Sequence, residues 1–142
     1  MTRVYWDTML FIYLLEAHPA FGPRVQAVHQ ALTQQGAKLC TSVFTVGEIL
    51  TMPRKTDDQK KIDLLMDYFE FRGNIQVVPF TIRTAQRYAE IRAKERVLSA
   101  DAIHLASASE VQADMFMTND RKLQRLRIDG IKLVADMDGR IV

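Results

Sequence analysis

The chain contains a single cysteine, Cys40, among its 142 residues. One cysteine excludes an internal disulfide and an all-cysteine zinc site, and it is consistent with a reducing compartment. Long apolar runs are also missing, because the longest, residues 9–15, falls far short of the ~20 residues that cross a bilayer. The first residues lack an apolar stretch followed by a small-residue cleavage site. We therefore expect no secretory signal, no membrane span and a cytoplasmic location.

Neither glycine, proline nor an excess of one charge distinguishes this sequence. Six glycines and four prolines are scattered without a linker, repeat or low-complexity stretch, so one domain over residues 1–142 is predicted. The formal net charge of +2 permits a polyanionic partner without arguing for one. The GxGxxG, P-loop and Gly-x-Ser-x-Gly patterns are absent, which argues against dinucleotide, nucleotide triphosphate and serine-hydrolase chemistry.

Short β-rich runs alternate with segments of helical periodicity. The predicted strands are 3–6, 38–41, 75–78, 115–118 and 132–134, and the predicted helices are 9–16, 21–35, 43–52, 59–71, 82–94, 100–111 and 121–125. Gly36, Pro53 and Ser99 are expected, in turn, to cap the second helix, end the third and cap the sixth. The alternation predicts an α/β domain of three layers, with a mostly parallel five-stranded sheet flanked by helices.

Four acidic residues, Asp7, Glu48, Asp101 and Asp120, lie in apolar surroundings, whereas most others fall in mixed-charge stretches typical of a solvated helix face. Three of the four stand at junctions between predicted elements. Glu48 lies within an apolar helical segment, where an unpaired charge is costly. Sites in open parallel sheets form beyond the carboxyl ends of the strands, and Asp7 and Asp120 each follow a strand there. We therefore expect all four carboxylates to converge.

Each acid taken singly also has an ordinary structural interpretation. Asp101 and Asp120 would cap helix N-termini, and Asp7 would serve as a turn residue. Carboxylates that converge without basic partners, however, repel one another unless a cation is present. An all-oxygen acidic site suits Mg²⁺ or Mn²⁺, which can activate water and neutralise charge on a phosphodiester. Together the four acids predict metal-assisted phosphodiester hydrolysis.

Four segments resemble the ordered motifs of PIN-domain proteins, with VapC-type ribonuclease toxins as the most similar subgroup. These segments are 4–8 (VYWDT), 45–49 (TVGEI), 99–106 (SADAIHLA) and 118–123 (TNDRKL). The resemblance covers nearly the whole chain, and the third and fourth motifs are the specific ones. It implies an RNA-cleaving toxin of a type II toxin–antitoxin pair. The catalytic residues that it implies, which would also bind Mg²⁺ or Mn²⁺, are Asp7, Glu48, Asp101 and Asp120.

Further residues near these motifs have expected roles. The resemblance implies that Thr8 and Asn119 orient the metal or the substrate. Arg121 and Lys122 follow the fourth acid and are expected to hold RNA phosphates, although a solvated helix face is the ordinary alternative. The chain departs from the family pattern at Met9, where Asn or Ser is common. It departs again at residue 99, a serine where the family often has proline, and neither change removes a carboxylate.

Partners follow from the same resemblance, which implies a cognate antitoxin. The early helices carry more apolar residues than one core of this size needs, including Phe11, Tyr13, Phe44 and Leu50, and some of these are expected to line a groove for a homodimer or for that antitoxin. One alternative is a catalytically inactive PIN-like module that binds protein. Another is a receiver-type phosphoacceptor domain, which would need paired acids after the first strand, where Trp6 and Thr8 flank the only acid.

The three histidines, His18, His29 and His104, show no metal-ligand spacing with one another or with Cys40. His104 stands three residues after Asp101, close enough on a helix to orient it. The preferred interpretation is nevertheless a packed or surface histidine. A zinc site is therefore not expected.

Overall fold

A parallel sheet of five strands forms the centre of the fold in the computed structural model, which describes residues 2–142. The strands are β1 (Arg3–Trp6), β2 (Lys38–Ser42), β3 (Gln76–Val78), β4 (Met115–Met117) and β5 (Leu133–Ala135). Their order across the sheet is β3-β2-β1-β4-β5, and all four neighbouring pairs run parallel. This arrangement confirms the predicted α/β fold and places β1 at the centre, between β2 and β4.

Helices cover both faces of this sheet. They are α1 (Thr8–Leu15), α2 (Gly22–Gln34), α3 (Val43–Lys55), α4 (Gln59–Asp67), α5 (Ile82–Lys94), α6 (Ser99–Glu110) and α7 (Arg121–Gln124). A π-helical turn, Tyr68–Arg72, extends α4. Helices connect each strand to the next one along the chain, as the crossovers of a parallel sheet require. None of the helices in residues 2–142 is long and apolar enough to cross a membrane.

The core divides into two clusters because the side chains of β1 alternate between the faces of the sheet. Val4 and Trp6 pack with residues of α1 to α4, whereas Tyr5 packs with residues of α5 and α6. Phe11 and Tyr13 also lie in the first cluster and are buried. These two residues therefore do not line an interaction groove, because that side of α1 packs in the core.

Local signals in the sequence are confirmed in one case and wrong in two. Gly36 follows α2 with a φ of 74°, the left-handed conformation expected after a helix. Pro53 does not end α3, which continues to Lys55 because the buried proline gives up only its own N–H bond. Ser99 does not cap α6 but is its first residue, since the backbone is already helical there, and its Oγ accepts a hydrogen bond from Arg92.

Candidate active site

Three neighbouring strands bring the four acids to one edge of the sheet. Asp7 directly follows β1, the central strand, and Asp120 follows β4 at the start of α7. Glu48 lies in the second turn of α3, which begins directly after β2. Asp101 lies in the first turn of α6, which packs against the face of the sheet that carries Tyr5. Each acid thus lies beyond the carboxyl ends of the strands or on a helix packed beside that edge.

Asp7 is the most buried of the four acids, with 9% of its surface exposed. Its Oδ2 accepts a hydrogen bond from Oγ1 of Thr118 at 2.5 Å, whereas its Oδ1 is buried and has no hydrogen-bond partner. Burial raises the pKa of Asp7, the bond from Thr118 and the nearby His104 oppose the rise, and the charge of Asp101 adds a smaller contribution to it. A buried oxygen without a partner is rare in folded proteins and points to a missing ligand.

Glu48 is held by hydrogen bonds although its side chain is 35% exposed. Its Oε1 accepts a hydrogen bond from Oγ1 of Thr8 at 2.5 Å and lies 3.1 Å from Nε2 of His104. Partial burial acts to raise the pKa of Glu48, but the bonds from His104 and Thr8 outweigh it, so the pKa lies below its ordinary value. Glu48 is therefore an ionised carboxylate at neutral pH.

Asp101 and Asp120 interact mainly through their charges. Partial burial raises the pKa of Asp101, and the charges of Asp120 and Glu48 raise it further. Asp120 is exposed, and its Oδ1 accepts a hydrogen bond from the backbone N–H of Lys122 at 2.9 Å. Asp120 therefore caps α7, as one interpretation predicted, and the cap uses only one of its two carboxylate oxygens.

The residues expected to assist the acids differ in which groups they contact. Thr8 is buried and bonds to Glu48, as a group that orients a ligand would. The positive charge of Lys122 acts on Asp101 and lowers its pKa against the larger opposing effects. Asn119 is turned away, since its Nδ2 donates to the hydroxyl of Tyr13 at 3.4 Å. Arg121 is exposed on α7 beside Asp120.

Thr8 was expected from the sequence, whereas the other polar residues that hold these acids were not. His104 is packed, as one interpretation had it, but it contacts Glu48 rather than orienting Asp101. Thr118 bonds to Asp7, and Tyr5 bonds to His104 from the central strand. A histidine within the buried stretch of α6 was the available signal, because a buried polar ring needs partners.

The donor atoms suit a hard divalent cation. Carboxylate oxygens are the ligands that Mg²⁺ and Mn²⁺ prefer. Oδ1 of Asp7 has no hydrogen-bond partner, and a cation would supply one favourable contact there. Within residues 2–142, no group of three or more His, Cys, Asp or Glu side chains is arranged tightly enough to hold a metal by itself. Mg²⁺ commonly keeps several waters and takes only one or two carboxylates directly, so spaced acids fit a hydrated ion.

Known proteins resemble the chain in family and in fold. The model of the PIN domain family matches residues 4–129. DNA-bound VapBC from Salmonella typhimurium is 20% identical, with a TM-score of 0.73 over 96% of this chain and 99% of that one. VapBC-5 from Mycobacterium tuberculosis, of the VapBC family of toxin-antitoxin systems, is 17% identical, with a TM-score of 0.62 over 96% and 99%. FitAcB from Neisseria gonorrhoeae is 25% identical, with a TM-score of 0.62 over 84% and 88%. A comparison with curated proteins gives no significant match.

Proposed function

The chain belongs to the PIN domain family, and on that premise we propose that it is a metal-dependent endoribonuclease, the cytoplasmic toxin of a type II toxin–antitoxin pair of VapC type. The observation that carries the proposal is the buried carboxylate of Asp7, whose Oδ1 has no hydrogen-bond partner. The charge of Asp101 acts on this carboxylate and disfavours its ionised form. A divalent cation beside Oδ1 removes both penalties at once.

The proposed metal ligands are Asp7, Glu48, Asp101 and Asp120. When bound, Mg²⁺ or Mn²⁺ supplies positive charge for the phosphodiester and lowers the pKa of an attacking water. The chain's own groups prepare the ligands: Thr118 occupies Oδ2 of Asp7 and leaves Oδ1 free, and Thr8 donates to Oε1 of Glu48. These hydrogen bonds fix the carboxylates before any ion arrives, which is how supporting residues strengthen a metal site.

RNA phosphates would be held by Arg121 and Lys122. Both are exposed on α7, which begins directly after Asp120. Four carboxylates alone would repel a polyanion, so positive charges at the border of the cleft are needed to attract one. The choice of RNA over DNA follows from the resemblance to VapC-type ribonucleases.

A cognate antitoxin and a second copy of the chain are the proposed protein partners. The similar structures include a member of a family of toxin-antitoxin systems, which supports the first. An apolar groove borders Glu48, and Phe44 is among the residues that line it. The other residues lining the groove are Val43, Gly47, Thr51, Phe80 and Ile103. An inactive protein-binding module would not need the polar support that Asp7 and Glu48 retain.

The proposal is tested by cleavage of RNA and of single-stranded DNA of the same sequence, with Mg²⁺, with Mn²⁺ and with EDTA. Wild type should cleave the RNA only when a divalent ion is present, and Asp101→Asn should cleave at least about 100-fold more slowly, beyond the 10–100-fold typical of supporting residues. Asp63→Asn is the matched control, because Asp63 is exposed on α4 and bonds to Gln59. Cleavage that survives EDTA, or equal loss in the control, would contradict the proposal.

A further inference from the structure

A buried imidazole, that of His104, lies beside the carboxylate of Glu48. His104 is 4% exposed and lies on α6, one turn after Asp101. Its ring packs edge-on against the rings of Tyr5 and Phe44, with centroids 6.0 and 5.5 Å away. These aromatic contacts hold the plane of the imidazole, so its two nitrogens have fixed directions.

Both nitrogens of this ring are engaged by polar groups. Nδ1 lies 2.9 Å from the hydroxyl of Tyr5, on the central strand. Nε2 lies 3.1 Å from Oε1 of Glu48 and also 3.1 Å from Oγ1 of Thr8. A core histidine needs only to satisfy its polar atoms, but this one connects the centre of the sheet to a carboxylate of the cleft.

The direction of these hydrogen bonds follows from which groups carry protons. An ionised carboxylate has no proton to give, so the bond between Nε2 and Glu48 requires the proton to be on Nε2. In the neutral ring Nδ1 then accepts, and the hydroxyl of Tyr5 donates to it. A tyrosine hydroxyl can donate or accept, so its contact with Nδ1 is compatible with the ring form that presents an N–H to Glu48.

The hydrogen bonds to Glu48 within residues 2–142 end at the same oxygen. Thr8 donates to Oε1, and the imidazole lies beside Oε1 as well. The other oxygen, Oε2, belongs to a side chain that is 35% exposed. Two donors on one oxygen restrict the rotation of a long side chain and orient the other oxygen.

We propose that His104, held by Tyr5, is a positioning residue that fixes Glu48 through Oε1 and leaves Oε2 available for the divalent cation. The inference rests on the proposed function, because it concerns one ligand of the metal site named there. It adds two residues that touch neither metal nor substrate. Their effect is on metal affinity, since the glutamate is ordered before the ion binds.

The test measures Mn²⁺ affinity by calorimetry for the full chain and for three site variants. His104→Ala and Tyr5→Phe should each weaken Mn²⁺ binding by about 10–100-fold, the effect typical of groups that orient metal ligands. His104→Gln should recover most of the affinity, because its side-chain amide can place an N–H near the position of Nε2. Tyr68→Phe is the control for Tyr5→Phe, since it also removes a buried hydroxyl, one without a hydrogen-bond partner.

The outcomes separate this inference from the proposed function. Wild-type protein that binds no Mn²⁺ overturns both. Wild-type protein that binds Mn²⁺, with His104→Ala and Tyr5→Phe equal to it, overturns the positioning role alone. A loss in His104→Ala that His104→Gln does not relieve also overturns it, because that pattern belongs to a ring needed only for packing. Thermal melts with EDTA accompany each titration to establish that every variant is folded.

Discussion

The acids of α4 and two acids of the cleft, Asp7 and Asp101, have opposite surroundings. Near α4, Asp63 accepts a hydrogen bond from Gln59 at 2.8 Å, and Asp67 pairs with Arg72 at 2.6 Å. Each of these acids finds its partner within a few residues. In the cleft, Asp7 has an orphan oxygen, and Asp101 is raised in pKa by burial and by neighbouring carboxylates.

The difference separates acids that hardly affect the stability of the fold from acids that lower it. Exposed carboxylates with local donors contribute little to stability. Buried or clustered carboxylates without cationic partners lower the stability of the fold, and such groups concentrate at functional sites. The comparison therefore locates the site by electrostatic strain rather than by the number of acids.

The largest effect is expected from Asp7→Asn. It removes the charge of the most buried acid while keeping an oxygen that can accept the bond from Thr118. We expect the rate of RNA cleavage under subsaturating conditions to fall by at least about 100-fold, beyond the 10–100-fold seen when only supporting residues are lost. Asp63→Asn should cleave like wild type. Comparable rates for the two variants would erase the distinction between the two groups of acids.

A smaller effect is expected in thermal melts at pH 7. An ion that binds only the folded chain adds about 2.7 kcal/mol at a hundredfold excess over its Kd, which raises the midpoint of a chain this size by several degrees. Asp120→Asn should lose most of the rise caused by Mn²⁺, and Asp67→Asn should keep it. A rise of equal size in both variants would show that the cleft acids do not share one ion.

The pH dependence of stability without metal should differ in sign between two cleft residues. The pKa of Asp101 is raised, so its contribution is present below about pH 4 and is lost as pH rises through the folded value. The pKa of Glu48 is lowered, so its contribution is present above about pH 4.3 and is lost as pH falls through the folded value.

Denaturant unfolding in EDTA measures this contrast. At pH 7, Asp101→Asn should be at least as stable as wild type, and Glu48→Gln should be less stable by about 1 kcal/mol, the difference between a charged and a neutral hydrogen bond. Both differences should shrink towards pH 3.5. A loss of stability in Asp101→Asn at pH 7 that persists at low pH would mean that the carboxylate stabilises the fold.

The smallest effect is expected for the ion pair of Asp67 and Arg72. Both side chains are exposed, by 38% and 81%. Asp67→Asn should change the free energy of unfolding by less than about 0.5 kcal/mol, as exposed pairs usually do. A loss of more than about 1 kcal/mol in the free energy of unfolding in urea would mean that this ion pair stabilises the fold.

The sequence predicts the fold well because periodicity is a local signal. All five strands were placed, and the first, Arg3–Trp6, has the same ends in the structure. The errors occur where tertiary packing overrides a local rule. Pro53 lies inside a helix and is buried there, and residues Tyr68–Arg72 widen into a π-helical turn where α4 ends. No local pattern signals either feature.

The site is predictable only in part. The acids are conspicuous in sequence because charge is rare in apolar segments and at strand ends. Their supports are not, since His104 lies 99 positions from Tyr5 and 56 from Glu48 along the chain. Only the folded sheet brings these residues together, so a histidine that contacts a carboxylate and a histidine that fills the core look alike in the sequence.

The most direct test of the central claim, that the four acids form one divalent-cation site, is a crystal structure grown with Mn²⁺ and recorded where manganese scatters anomalously. We expect an anomalous peak in the cleft within coordination distance of Oδ1 of Asp7, with at least one further carboxylate among Glu48, Asp101 and Asp120 bound directly or through water. The same crystal form of Asp7→Asn should lack the peak. A map with manganese only beside the acids of α4, or with none in the cleft, would contradict it.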